Sequence, residues 1–146
     1  MIHRMGAAVL SLAGIFVATY LWLFKLGKIG TIACGTGGCE TVQLSRYSAF
    51  LGVDVALIGI VGYVVMLAVC LVGLQPAWAD RREPAALLAL LAGASVLFAV
   101  YLTYLELFVI HAICRWCVAS AVIVVGLLVL ALLDLRRFRR PERQQA

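Results

Sequence analysis

The sequence predicts an all-α membrane protein: a bundle of four transmembrane helices, with a short outer capping loop or helix after the first span. Three observations carry that expectation. Of 146 residues, 65% are hydrophobic and only 13% charged, where soluble domains run near about 45–50% apolar and about 25% charged. Four stretches are each close to the roughly 20 apolar residues that a helix needs to cross a bilayer. No β-barrel alternation is present, so the backbone polar groups of these stretches must be bonded within helices.

The first span runs from about Met5 to Phe24, after His3 and Arg4, and is closed by Lys25 and Lys28. A Gly-rich stretch containing Cys34 and Cys39 follows. Residues Thr41 to Leu51 mix polar and apolar types, which suits a short helix lying at the water–lipid boundary. The second span runs from about Val53 to Leu74, with Asp54 at its start. A polar turn then carries Asp80, Arg81, Arg82 and Glu83 to Pro84, a residue suited to a first helical turn because its missing N–H has no intrahelical partner there anyway. The third span, about Ala85 to Ile110, contains one acid, Glu106. Only His111 to Ile113 separate it from the fourth, about 113–133, and a basic tail, 134–146, carries Arg136, Arg137, Arg139, Arg140 and Arg143. At this length the natural count is one domain, residues 1–146.

The net charge of +5 does not point to nucleic acid, which would call for a basic patch on a folded polar surface. Here the basic residues flank apolar segments, and cytoplasmic loops are the ones enriched in Lys and Arg. With both termini inside, the cytoplasmic set is Arg4, Arg81, Arg82 and the tail arginines, against Lys25, Lys28, Arg46 and Arg115 outside. Both close cysteine pairs then face outward. Cleavage of the first segment as a signal peptide is the weaker reading, because two lysines and two glycines separate Cys34 from the apolar run.

Four of the five cysteines form those pairs. Cys114-Arg115-Trp116-Cys117 opens a helix, where unpaired N–H groups and Arg115 favour a thiolate, the attacking species in disulfide exchange. Cys117 lies roughly 4.5 Å deeper along the helix than Cys114, near the hydrocarbon boundary, where a lipid-soluble electron carrier can meet it. Cys34 and Cys39 flank Gly35, Gly37 and Gly38, a segment permissive enough to swing. A mobile pair beside a helix-mounted pair suits transfer of a disulfide; two structural disulfides or a four-cysteine zinc site are the alternatives. Cys70, unpaired in the second span, reads as a small hydrophobe.

These residues are similar to the vitamin K epoxide reductase family in its short bacterial form. The likeness extends from about Cys34 to Cys117 and includes Cys39-x2-Val42-x2-Ser45-Arg46-Tyr47, Gly52 before the second span, Gly59-x3-Tyr63 within it, and the Cys114-x2-Cys117 pair. The resemblance implies a four-helix bundle around a quinone pocket, with the first outer loop as its cap. It implies that Cys117 works against the quinone (ubiquinone or menaquinone) and that Cys114 exchanges with Cys39. Cys34 then engages an extracytoplasmic thioredoxin-like partner, and Ser45 supports the cysteines or cap. Val55 and Ala121 stand near positions where animal members carry the amide and hydroxyl that hold the quinone carbonyls. Asp54, Tyr63, Tyr104 and Ser120 are the candidates to take that role here.

The expected activity is therefore a thiol:quinone oxidoreductase of a bacterial inner membrane that supports disulfide formation. A quinone or vitamin K epoxide reductase, or a non-catalytic metal-binding membrane subunit, are the competing readings. Glu106 is a functional candidate because an ionisable group within a span needs a reason to be there; it suits proton relay or a bond to a neighbouring helix. His111 reads as interfacial or as a base for a thiol, and Tyr20, Trp22 and Trp116 suit an interfacial belt.

Overall fold

The computed structural model describes residues 2–25, 49–50, 52–111 and 115–145. Helix α1 spans Ile2–Lys25, α2 Val55–Leu74, α3 Glu83–Tyr104 and α4 Arg115–Gln145, and α3 continues as a π-helical turn over Leu105–Ile110. The segments long and apolar enough to cross a membrane are Ile2–Phe24, Val55–Leu74, Glu83–Ile110 and Arg115–Arg137. The all-α membrane bundle expected from hydropathy is thus the fold the chain adopts. Helix α4 runs without a break past Leu133, where the fourth span was expected to end.

Most of the stretch expected as a boundary helix, 41–48 and 51, lies outside the described residues. Its last residues are not helical: Ala49–Phe50 (β1) pair antiparallel with Val53–Asp54 (β2), in register Ala49 to Asp54 and Phe50 to Val53. The reversal falls at Gly52, whose φ of +83° lies where only glycine sits without steric cost. Strand β2 leads directly into α2, so this small hairpin fixes where the second span begins.

Helix α1 lies between α2 and α4, and α3 closes the ring by packing broadly on α4 and more sparsely on α2. Small residues make close approach possible. Ala7, Ala18, Ala92 and Ala131 are all buried, with Met66 and Leu127 filling the space between them. That composition suits a bundle in lipid, where association relies on packing at short range and not on expulsion of water. The apolar bulk faces outward instead: Leu97 is 73% exposed and Leu90 70%. Cys70 is buried in the main cluster with Met66 and Leu88, in keeping with its reading as a small apolar residue.

One end of the bundle is closed by Arg4. Its guanidinium is buried and donates to Asp134 Oδ2 of α4 at 2.7 Å, to the Gly73 carbonyl near the end of α2, and to the carbonyls of Trp78 at 3.2 Å and Arg81 at 2.9 Å in the α2–α3 turn. The last carbonyls of a helix have no intrahelical donor; Arg4 supplies one for α2 while anchoring α1 to α4. Arg137, one turn along α4, approaches the other Asp134 oxygen at 3.5 Å.

Toward the other end, α1 and α2 touch at Gly14, where an added Cβ would collide with the Tyr63 ring. The missing side chain at Gly14 is what lets Tyr63 lie flat in the interior, 3% exposed.

Two outcomes follow in detergent-solubilised protein monitored by thermal or denaturant unfolding. Arg4→Ala, which strands a buried carboxylate, should cost about 3–5 kcal/mol. The double variant Arg4→Met/Asp134→Leu should recover a clear part of that loss; a double variant as unstable as the single would mean the charge pairing is not what Arg4 contributes. Gly14→Ala should destabilise by about 1–3 kcal/mol through overpacking, and combining it with Tyr63→Ala should relieve that cost.

Candidate active site

Opposite the Arg4 clasp, the four helices enclose a chamber of about 350 Å³, within the range of about 300–1,000 Å³ typical of small-molecule sites. It lies among the second half of α1, the first half of α2, the second half of α3 with its π-helical turn, and the first half of α4. Its walls are mainly apolar, and four groups bearing chemistry reach it: Tyr63, Glu106, Cys117 and Ser120.

Helical spacing explains how α4 delivers its share. Cys117, Ser120, Ala121 and Val124 stand at i, i+3, i+4 and i+7, one face of the helix, and all four line the chamber. Cys117 is half-buried and packs in a second cluster with Leu21, Ala56, Ile110 and Trp116. Trp116 in turn meets Tyr20 of α1, ring centres 5.0 Å apart. The sulfur is thereby held between the aromatic rim and the chamber.

Tyr63 and Ser120 meet across the interior. The two hydroxyl oxygens are 2.6 Å apart, and the Tyr63 hydroxyl also lies 3.1 Å from the Ser120 carbonyl. Two arrangements of hydrogens satisfy this geometry. When tyrosine donates to the carbonyl, the serine hydroxyl donates to tyrosine; when tyrosine donates to serine, the serine hydrogen is released to a third group. The pair is therefore able to switch between accepting from and donating to a ligand.

Other hydroxyls in the wall are committed elsewhere. Ser95 donates to the Leu91 carbonyl at 2.9 Å and Thr103 to the Ala99 carbonyl at 2.8 Å, each one turn back on α3. A ligand that only accepts hydrogen bonds must therefore look to Tyr63, Ser120, Glu106 or Cys117 among the described residues.

Glu106 is 4% exposed and sits second in the π-helical turn. The turn ends at His111, in the left-handed region with φ of +57°, whose N–H bonds the Glu106 carbonyl. This i+5 bond widens the helix and buries Leu105 and Glu106 side by side, while Leu107, Phe108 and Val109 face outward. Interruptions of this type occur often at functional sites.

Of the residues expected to hold carbonyls, Tyr63 and Ser120 come together in the chamber and two do not reach it. Tyr104, two positions before Glu106 on the helix, faces nearly the opposite way. It is mostly exposed, stacks toward Phe108 with ring centres 5.1 Å apart, and borders a shallow groove between α3 and α4. Asp54 is the second of the two. It belongs to the hairpin and occupies the position just before α2 without a side-chain capping bond, one residue short of the wall. Val55 and Ala121 do line the chamber, so its surface is apolar at those two positions. Cys34, Cys39, Ser45 and Cys114 lie outside the described residues. Ser95 and Thr103 were missed in the sequence, although both share the helical face of Glu106, eleven and three positions before it.

A family model described as the vitamin K epoxide reductase family matches residues 6–132. That match takes in the whole of the second and third spans, most of the first and fourth, the chamber and Cys117. The chain belongs to the vitamin K epoxide reductase family, whose members are membrane oxidoreductases working with thiols and quinones.

Proposed function

We propose that the protein oxidises a thioredoxin-like partner outside the cytoplasm and passes the electrons through its cysteine pairs to a quinone of the surrounding membrane, of the ubiquinone or menaquinone kind. The observation that carries this reading is that Cys117 and the Tyr63–Ser120 hydroxyl pair line one apolar chamber at one end of the bundle.

The chamber fits a quinone ring in three respects. Its volume suits one small planar ring, its walls are apolar, and its hydroxyl pair can donate to a carbonyl oxygen or accept from a phenolic one. A bound quinone would supply a sink for two electrons and two protons. The lysine and arginine distribution supports an orientation with the Arg4 clasp and the tail on the cytoplasmic side of a bacterial inner membrane, and the chamber end with its cysteines on the outer side, where disulfides persist.

In the proposed cycle a partner thiolate attacks a Cys34–Cys39 disulfide at Cys34. The partner's second thiol resolves the mixed disulfide, so the partner leaves oxidised and both loop cysteines are thiols. Cys39 then attacks Cys114, breaking its bond to Cys117, and Cys34 resolves the resulting Cys39–Cys114 bridge. The loop disulfide is restored and Cys114 and Cys117 hold the electron pair. Cys117 passes that pair into the chamber as it closes again on Cys114. Ser45 supports the loop in this scheme, and Trp116 and Tyr20 wall the sulfur from water.

In liposomes containing a quinone and a reduced thioredoxin-like protein, Cys117→Ala should abolish turnover. A variant that still oxidises the partner at the normal rate would refute the proposal. Turnover of a vitamin K epoxide with no oxidation of the protein dithiol would refute it in favour of an epoxide reductase. Tyr63→Phe, which removes one hydroxyl, should raise KM for quinone by roughly 5–10-fold, equivalent to about 1 kcal/mol, with a smaller effect on kcat.

A further inference from the structure

We infer that Glu106 is the proton carrier of the chamber, moving protons from the Cys114–Cys117 dithiol to the oxygens of the bound quinone. This rests on the proposed thiol–quinone reaction and assigns to one side chain a task that the cysteines leave open.

The reaction balances internally. As Cys114 and Cys117 form their S–S bond, two S–H bonds are lost and the sulfurs release two electrons and two protons. The ring gains two electrons and two O–H bonds. No outside oxidant or proton source is required, but each proton must cross from sulfur to oxygen in a space walled by hydrocarbon.

The chamber wall restricts which groups can do this. Ser95 and Thr103 direct their hydrogens to backbone carbonyls of their own helix. The Tyr63–Ser120 pair can reorient its hydrogens, which suits it to hold an oxygen, but a hydroxyl yields its proton with difficulty at neutral pH. Among the described residues of the wall, Glu106 is, apart from Cys117, the group that both loses and regains a proton within the range useful for general acid–base catalysis. Acting as the acid, its carboxyl gives a proton to a ring oxygen as the sulfur electron pair arrives. Its carboxylate then takes the proton released by the closing dithiol, and the same exchange serves the second proton.

The backbone supports the assignment. A buried carboxyl in a membrane span is costly, and the other wall positions of α3 carry apolar or small residues with two back-bonded hydroxyls. Glu106 continues the chamber face of α3, three, four and seven positions after Thr103, Leu102 and Ala99, and Ile110, at the end of the π-helical turn, lines the same chamber and packs in the cluster that holds Cys117. Glu106 and Cys117 therefore line one chamber from α3 and α4.

The test compares Glu106→Gln and Glu106→Asp with wild type and with Cys117→Ala, all in quinone-loaded liposomes. Glu106→Gln should lower kcat by about 100-fold or more, the scale of general acid–base catalysis, with KM for quinone nearly unchanged. Glu106→Asp, which keeps the carboxyl, should regain part of the rate. Two further readouts do not depend on turnover. Acid-quenched alkylation during reaction should find Cys114 and Cys117 accumulating as thiols in Glu106→Gln. Infrared difference spectra between quinone and quinol states should contain a carboxyl band in wild type that is missing in Glu106→Gln. Normal turnover by Glu106→Gln, or a loss in KM alone, overturns the inference while leaving the cysteine reaction intact. Normal turnover by Cys117→Ala overturns the underlying reaction itself. If Glu106→Gln does not insert stably, Glu106→Asp and the wild-type infrared band decide: a wild-type spectrum without a carboxyl band overturns the inference.

Discussion

A polar group surrounded by lipid has no water to fall back on, so each one must find its partner inside the chain. The bundle is organised by that constraint. Arg4 is buried because four acceptors converge on it: a carboxylate from α4 and three carbonyls from the end of α2 and the turn beyond. The hydroxyls of Ser11 in α1 and of Ser95 and Thr103 in α3 bond back to their own helices. Tyr63, Ser120, Glu106 and Cys117 are gathered at the other end, around the chamber. The same requirement that closes one half of the bundle thus concentrates chemistry in the other.

The two ends differ in how they are held. At the Arg4 end a charged clasp joins α1, α2 and α4, leaving α3 attached through the short turn and its packing on α4. At the chamber end the helices are held by small residues and shape: Gly14 admits the Tyr63 ring, and the Tyr63–Ser120 pair bridges α2 and α4. An arrangement of this kind joins the helices by charge at one end and leaves the chamber walls at the other end mainly apolar.

The π-helical turn links local backbone to chemistry. A regular α-helix continuing through Leu105–Ile110 would use i+4 bonds, and the side chains after Glu106 would fall in a different rotational phase. The wider turn, closed by the left-handed His111, carries Glu106 and Ile110, both on the chamber wall, and ends the third span just before the segment leading to the fourth.

Much of this was legible in the sequence, because hydropathy, helix length and the position of a C-x-x-C at a helix start are local properties. Four apolar runs of spanning length leave few alternatives in lipid, so fold class and span order followed from composition and periodicity alone. Tertiary structure decided which polar residues meet. Arg4 and Asp134 are 130 positions apart, and Tyr63 and Ser120 are 57 apart; pairings across helices depend on axial rotation and crossing, which a single sequence does not encode in any local pattern. Tyr104 shows the same limit from the other side. It lies two residues from Glu106 and is equally suited to bond a carbonyl, yet the rotation of α3 turns one inward and the other to the surface. Residue type states what a side chain can do, and the packing of the helices determines what it is near.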